Sequence, residues 1–222
     1  MISWKKHFQN PKDKLTDKMP IARTLFVENK KLRVFDFDDS LVTTTSYIYV
    51  NNEKSGKKTK LTPGEYAVYN PKSGDTFDYS DFEQVKNPKI IKGYFEILRR
   101  MASGGGDRGV FVLTARGAYR PVYQFIKDSG IKDVYVVALG DANPEKKADW
   151  IEDKVKDEGY DDVFFVDDSQ KNIDAVKKRL KNYPNIKQKI QIVKHSGDKN
   201  ESIGIKLMNI LWLLYLYRNK KK

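Results

Sequence analysis

Three carboxylates crowd into four residues of the segment "VFDFDDS": Asp36, Asp38 and Asp39. They follow directly on an apolar run, although like charges so close repel and aspartate is a poor strand residue. Two more apolar runs end in polar groups. "VFVLTAR" delivers Thr114 and Arg116, and "VFFVDDSQKN" delivers Asp167, Asp168 and Ser169. Lys146 and Lys147 lie near the start of the segment that leads into the last of these. Clustered carboxylates need a cation, and hard oxygen ligands without cysteine point to Mg2+. A hydroxyl and an ammonium beside a metal-bound carboxylate make a clamp for a phosphoryl oxygen. The chain has no cysteine, which removes thiol catalysis, disulfides and thiolate-ligated zinc. Its two histidines, His7 and His195, are far apart, which argues against a histidine metal centre or a Ser-His-Asp triad.

Such residues act together only if the fold gathers them. Five β-type runs stand out: "LRVFDF" (32–37), "GVFVLTA" (109–115), "DVYVVAL" (133–139), "DVFFVDD" (162–168) and "KIQIVKH" (189–195). Helical patterns separate the last four. "YRPVYQFIKDSG" and "NPEKKADWIEDKVKDEG" each end in a glycine stop, and "SQKNIDAVKKRL" carries Ile173, Val176 and Leu180 on one face. A further helix, "NPKIIKGYFEILRRMAS", precedes the second run. This alternation predicts an α/β, Rossmann-like fold, with a central, mostly parallel five-stranded sheet and helices on both faces. Open parallel sheets bind ligands at the carboxyl ends of their strands. The polar ends of the runs are therefore expected to converge on one edge.

The 222 residues suit one domain with decoration. We divide them into an N-terminal polar arm (1–31), a core (32–195) and a C-terminal apolar and basic tail (196–222). The arm carries a short hairpin in "TLFVENKKLRVF" and no apolar stretch resembling a secretory signal, so a cytoplasmic location is expected. An insert at about 42–86 interrupts the first crossover; it reads as a hairpin ("SYIYVNNEKSGKKTKL"), a proline-led turn ("TPGEY") and an irregular piece ("SGDTFDYSDF"). Loops of that length inside a domain are usually functional. A formal charge of +12 favours anionic partners (phosphates, nucleic acid, acidic lipid heads) or serves solubility alone.

The order and content of the four motifs, "VFDFDDS", "VFVLTAR", a lysine, and "VFFVDDSQKN", resemble the haloacid dehalogenase (HAD) superfamily over roughly residues 32–195. The resemblance implies a HAD-type phosphatase in which Asp36 is the nucleophile and forms an aspartyl-phosphate. Asp38 would protonate the leaving oxygen and then activate water, and Thr114 would bond a phosphoryl oxygen. Mg2+ would be held by Asp36, the Asp38 carbonyl and Asp168, with Asp167 steering the lysine or a metal water. Lys147 is preferred over Lys146 because it precedes Trp150 and Ile151 at the spacing of related phosphatases. Ser40 stands where the family usually has threonine or valine, Asp39 where many members have glycine, and Asn172 on a distal acidic position. Ser40, Arg116 and Ser169 are candidates for substrate contact; Arg116 could instead pair with an acid. Response-regulator receivers and TOPRIM nucleases also gather acids on a parallel sheet, but they distribute them differently along the chain.

In that family the insert after the first motif forms the cap that selects substrates. Here it offers Lys54, Lys57, Lys58 and Lys60 beside Tyr66, Tyr69, Phe77 and Tyr79. These could hold a nucleotide or a nucleic-acid end, or form a solvated turn over a packed mini-core. "LTPGEYAVY" and "GDTFDYSDFE" resemble HAD-type hydrolases of bacteriophages, in which case the host cytoplasm is the expected location. In outline the motifs are also similar to the phosphatase half of polynucleotide kinase-phosphatases. The alternatives are a sugar or lipid phosphatase and a non-catalytic HAD-fold binding protein. The tail's apolar stretch from Leu207 to Tyr217 is about eleven residues, short of the ~20 that span a bilayer. Residues 203–222 are expected to form a packed last helix, an oligomer contact or a membrane-surface helix.

Overall fold

Leu32 and Val34 point to one side of the first strand and Phe35 to the other, and all three are fully buried. A strand apolar on both faces belongs in the middle of a sheet covered on both sides. A computed structural model, describing residues 29–67 and 69–194, has that arrangement. Most of the N-terminal arm, both histidines and the tail at 203–222 lie outside the described residues.

In chain order the elements are β1 (Lys31–Phe35), β2 (Val42–Thr43), β3 (Ile48–Asn52), β4 (Lys58–Leu61), α1 (Pro63–Ala67), β5 (Asp75–Asp78), a 3-10 turn (Ser80–Glu83), β6 (Lys89–Ile90) and α2 (Lys92–Ala102). There follow β7 (Arg108–Thr114), α3 (Arg120–Asp128), β8 (Tyr135–Ala138), α4 (Pro144–Glu158), β9 (Asp162–Asp167), α5 (Gln170–Leu180) and β10 (Lys187–Ile192). Five strands form one sheet in the order β10-β9-β1-β7-β8, every neighbouring pair parallel. The architecture is Rossmann-like α/β. Buried Ala148, Ile151 and Val155 of α4, with Ile173, Val176 and Leu180 of α5, cover the Leu32 face. Tyr94, Phe95 and Leu98 of α2, with Val122 and Ile126 of α3, cover the Phe35 face. Each such side chain contributes about 1.5–3 kcal/mol by leaving water.

Helix α4 is fixed at both ends by local chemistry. The Asn143 side chain accepts from the Glu145 amide at 3.1 Å, Pro144 starts the first turn, and Gly159 ends the helix at φ 73°. That first turn carries both candidate lysines.

The insert differs from its sequence reading in three places. The stretch read as irregular contains β5, which pairs with β3 beside the expected β3–β4 hairpin and makes a three-stranded antiparallel sheet. Only Phe77 among the four residues of β5 is apolar, so alternation was too weak to reveal the strand. "TPGE" is the start of α1 rather than a turn: Thr62 and Glu65 bond each other's backbone amides, at 2.8 Å and 3.3 Å, as a reciprocal cap. Lys89 and Ile90, read as helix, pair instead with Thr43 and Val42 and tie the two ends of the insert together. Ile91, extended at φ −82° and ψ 91°, separates this pairing from the helix that starts at Lys92.

The turn after β1 is tight. The Leu41 amide donates to the Phe37 carbonyl at 3.0 Å, the Asp39 amide donates to the Val42 carbonyl at 2.9 Å, and Asp39 itself adopts φ 54°. A β-branched side chain tolerates that conformation poorly, while glycine accepts it. Asp39→Val is expected to cost roughly 1–2 kcal/mol. Asp39→Gly should stay within about 1 kcal/mol of the unaltered protein, both measured by urea denaturation.

Candidate active site

Asp36 is the first residue beyond β1, and its amide donates to the Val166 carbonyl at 2.9 Å. The parallel register Phe35↔Val166 sets it level with Asp167 on the neighbouring β9. Both acids continue the face covered by α4. From the first turn of that helix Lys147 reaches down between them, its Nζ 2.6 Å from Asp36 Oδ1 and 2.7 Å from Asp167 Oδ2. Lys147 is buried because it borders the apolar stripe of Ala148, Ile151 and Val155, whereas Lys146 is exposed on the outer side. Asp167 has no solvent exposure. It also accepts from the Ser169 amide at 2.8 Å and from Asn172 Nδ2 at 2.9 and 3.0 Å.

Asp168 is half-buried beside this pair. The Ser40 hydroxyl accepts from the Asp168 amide at 3.0 Å and donates to Asp168 Oδ1 at 3.3 Å. Ser40 is fully buried, so its hydroxyl orients an acid of the cluster instead of facing a substrate. Ser169 is the N-cap residue of α5: its amide donates to Asp167 and its carbonyl accepts from the Ile173 amide at 3.1 Å.

The carboxylates of Asp36, Asp167 and Asp168 offer oxygens within 4.8 Å of one another. Burial, Asp167 and Asp168 together push the Asp36 carboxyl well above its ordinary range, although Lys147 pulls the other way. Burial first, then Asp167 and Asp39, push Asp168 up to about 6. Burial alone would lower the Lys147 ammonium, but its two carboxylates outweigh that and raise it. Three carboxylates against one ammonium leave two negative charges uncompensated. An all-oxygen donor set with that charge fits a hard divalent cation.

Asp38 belongs to a separate pair. Arg116 Nε donates to Asp38 Oδ2 at 2.8 Å and Nη2 to Oδ1 at 2.7 Å, a bidentate fork. The Thr44 hydroxyl lies 3.4 Å from the same carboxylate. Strand alternation puts Thr114 with Val110 and Val112, on the face opposite Asp36, and its Oγ1 accepts from the Arg116 amide at 3.2 Å. The fold therefore brings Asp36, Lys147, Asp167, Asp168 and Ser40 into one cluster and Asp38, Arg116 and Thr114 into another, both at the carboxyl edge of the sheet. Asp39 closes the turn, and it also acts on the cluster by repelling Asp168.

Asn172, named in the sequence without a role, is the residue that reading left out. It lies one turn into α5, where a side chain can reach back to the strand end; position in the helix was the available signal. The insert's aromatics pack on one another: Tyr66, Tyr69, Phe77 and Phe82 lie against Ile48, Val50 and Leu61. Lys60 sits over the Tyr47 ring at 3.4 Å and Lys54 bonds Ser73 at 2.6 Å. Among the described residues no helix is long and apolar enough to cross a membrane. Comparison with protein-family models, with curated proteins and with solved structures gives no match.

Removing the ammonium leaves two buried acids facing each other. Lys147→Met is expected to cost about 3–5 kcal/mol, and Lys146→Met to stay within about 0.5 kcal/mol, by urea denaturation at neutral pH. A carboxyl raised in the folded state holds its proton more tightly than in the unfolded chain. Asp168 therefore lends stability as pH falls from about 6 towards 4 and withdraws it above. In EDTA, Asp168→Asn should be more stable than the unaltered protein at pH 7, with the advantage disappearing towards pH 4; a constant difference across that range would contradict the assignment.

Proposed function

We propose that this chain is a Mg2+-dependent phosphomonoester hydrolase of the HAD kind, with Asp36 as nucleophile. The observation that carries the reading is the Lys147 ammonium held between Asp36 and Asp167, with Asp168 adjoining, at the carboxyl edge of a parallel sheet. A carboxylate attacks a phosphoester only where the repulsion between the two anions is screened. Mg2+ bound by Asp36, Asp167, Asp168 and the Asp38 carbonyl would supply that screening and polarise the phosphoryl group.

The chain's own residues divide the remaining work. Lys147 occupies Oδ1 of Asp36, and Oδ2 takes no hydrogen bond from another described residue, which leaves it as the attacking oxygen. In the first half-reaction the bond from Oδ2 to phosphorus forms and the bond to the leaving oxygen breaks, while Asp38 gives that oxygen a proton. In the second, a water oxygen bonds phosphorus, the Asp36–phosphorus bond breaks, and the water proton passes to Asp38. Thr114 is buried at the strand end with Oγ1 accepting from the Arg116 amide, so its hydroxyl hydrogen would be left for a phosphoryl oxygen that enters the site. Asn172 and Ser169 hold Asp167, and Ser40 holds Asp168, against rotation.

The substrate proposed is a phosphomonoester, with nucleotides and nucleic-acid end phosphates favoured by the +12 charge. The aromatic packing in the insert lends no support to a base-stacking platform there.

With Mg2+, the purified protein should hydrolyse p-nitrophenyl phosphate, and Asp36→Asn should lose at least about 10³-fold of that rate. Full turnover by Asp36→Asn, or undiminished turnover in EDTA, would sink the mechanism. A panel of nucleotides, sugar phosphates and end-phosphorylated oligonucleotides separates the substrate classes. Mg2+ should also raise the melting temperature of the unaltered protein and leave that of Asp168→Asn nearly unmoved. Stabilisation by Mg2+ without turnover of any phosphate would favour a binding protein instead.

A further inference from the structure

Arg116 is buried and its side chain is turned onto protein partners. Its side chain is 1 % exposed, while its partner Asp38 is 18 % exposed. A guanidinium has five N–H donors. The Nε and Nη2 edge holds Asp38, and Nη1 donates to the carbonyls of Phe82 at 3.1 Å and Gln84 at 2.7 Å. Its plane lies near two rings, Phe37 of the strand-end turn at 5.4 Å and Phe82 of the insert at 5.0 Å. One cation thus touches the sheet edge, the turn that carries Asp38, and the insert.

The insert side of this contact is itself anchored. Asp81, next to Phe82, is buried and accepts from Lys86 Nζ at 2.5 Å, the Tyr47 amide at 3.1 Å and the Tyr49 hydroxyl at 3.3 Å. Its carbonyl accepts from the Ser46 hydroxyl at 3.3 Å. Tyr49 is in β3, the central strand of the small sheet. A continuous path of hydrogen bonds and ion pairs therefore runs from the small sheet through residues 81–84 to Arg116 and on to the Asp38 carboxylate.

We propose that Arg116 is a positioning residue that couples the insert to Asp38. The two carbonyls locate the guanidinium, and the guanidinium fixes the direction of the carboxylate. A substrate group that seats against the insert then acts on the proton donor without touching it. Lysine cannot substitute, because a point charge offers neither the fork nor the second pair of donors. The catalytic consequence rests on the hydrolase reading above; the mechanical linkage does not.

The two parts are tested separately. p-Nitrophenolate leaves without a proton, whereas the alkoxide of glycerol 2-phosphate needs one, so misdirecting Asp38 should harm the second substrate selectively. In Arg116→Ala, kcat/KM for glycerol 2-phosphate should fall about 10²-fold, within the range for lost general acid catalysis, and for p-nitrophenyl phosphate less than about tenfold. Phe82→Ala, which alters only the insert side, should show the same selectivity at smaller size. Equal losses on both substrates, or none, overturn the positioning role. For the linkage, Asp38→Ala should make the backbone amides of residues 82–86 exchange with deuterium roughly tenfold faster, the effect of losing a charged hydrogen bond. Unchanged exchange overturns the coupling whether or not the protein turns over. Absence of turnover by the unaltered protein on both substrates overturns the hydrolase reading and leaves the linkage to the exchange result.

Discussion

A buried ammonium between two buried carboxylates is the constraint on which the carboxyl edge of this sheet depends. Lys147, Asp36 and Asp167 are all nearly inaccessible to water. None could be buried alone, because an isolated ion loses several kcal/mol of solvation that only a well-placed partner restores. The three must therefore arrive together. Their arrival fixes the register of β1 on β9 and the depth at which the first turn of α4 meets the sheet. The Asn143 cap and Pro144 set where that turn begins, so a local helix signal and a long-range ion pair enforce the same geometry.

The ammonium does not balance the site. With Asp168 beside the pair, two negative charges remain when all three acids are ionised; burial first, and the neighbouring carboxylates second, raise the Asp36 and Asp168 carboxyls. A protein that needed only stability would be expected to replace such acids with apolar or amide side chains. A divalent cation carries the charge that would complete the balance. The supporting groups fit the same logic: Asn172, Ser169 and Ser40 direct N–H and O–H groups at carboxylate oxygens, which costs nothing in charge and removes rotational freedom.

The turn after β1 resolves the crowding of three acids in sequence. Asp36 stays with the α4 face. Asp39 takes up the left-handed conformation that closes the turn, and Asp38 swings to Arg116. Asp36 and Asp38 thereby acquire different counter-charges, a lysine in one case and an arginine in the other. Arg116 also brings the insert into the arrangement, since its remaining donors are taken by the Phe82 and Gln84 carbonyls.

The sequence by itself determined the five strands of the main sheet, the helices that cover it and the edge at which the polar residues gather, because those follow from alternation, from apolar stripes and from capping residues close in the chain. The spacing to Trp150 and Ile151 found in related phosphatases favours Lys147 over Lys146; the structure buries Lys147 and leaves Lys146 exposed. The strand order β10-β9-β1-β7-β8 was not legible, since both partners of the central β1 are chosen across more than seventy residues by packing. Nor was β5 visible, with a single apolar residue in four, or the pairing of residues 89–90 with the start of the insert. The partners of the polar residues were decided only by the tertiary structure. Ser40 read as a candidate for substrate contact, and Arg116 as either that or the partner of an acid, because exposure cannot be seen in a string of letters; the fold buries both and turns them on Asp168 and Asp38. A hydroxyl or a guanidinium bonds whatever acceptor lies within about 3 Å, and that neighbour is set by elements that meet only when the chain has folded.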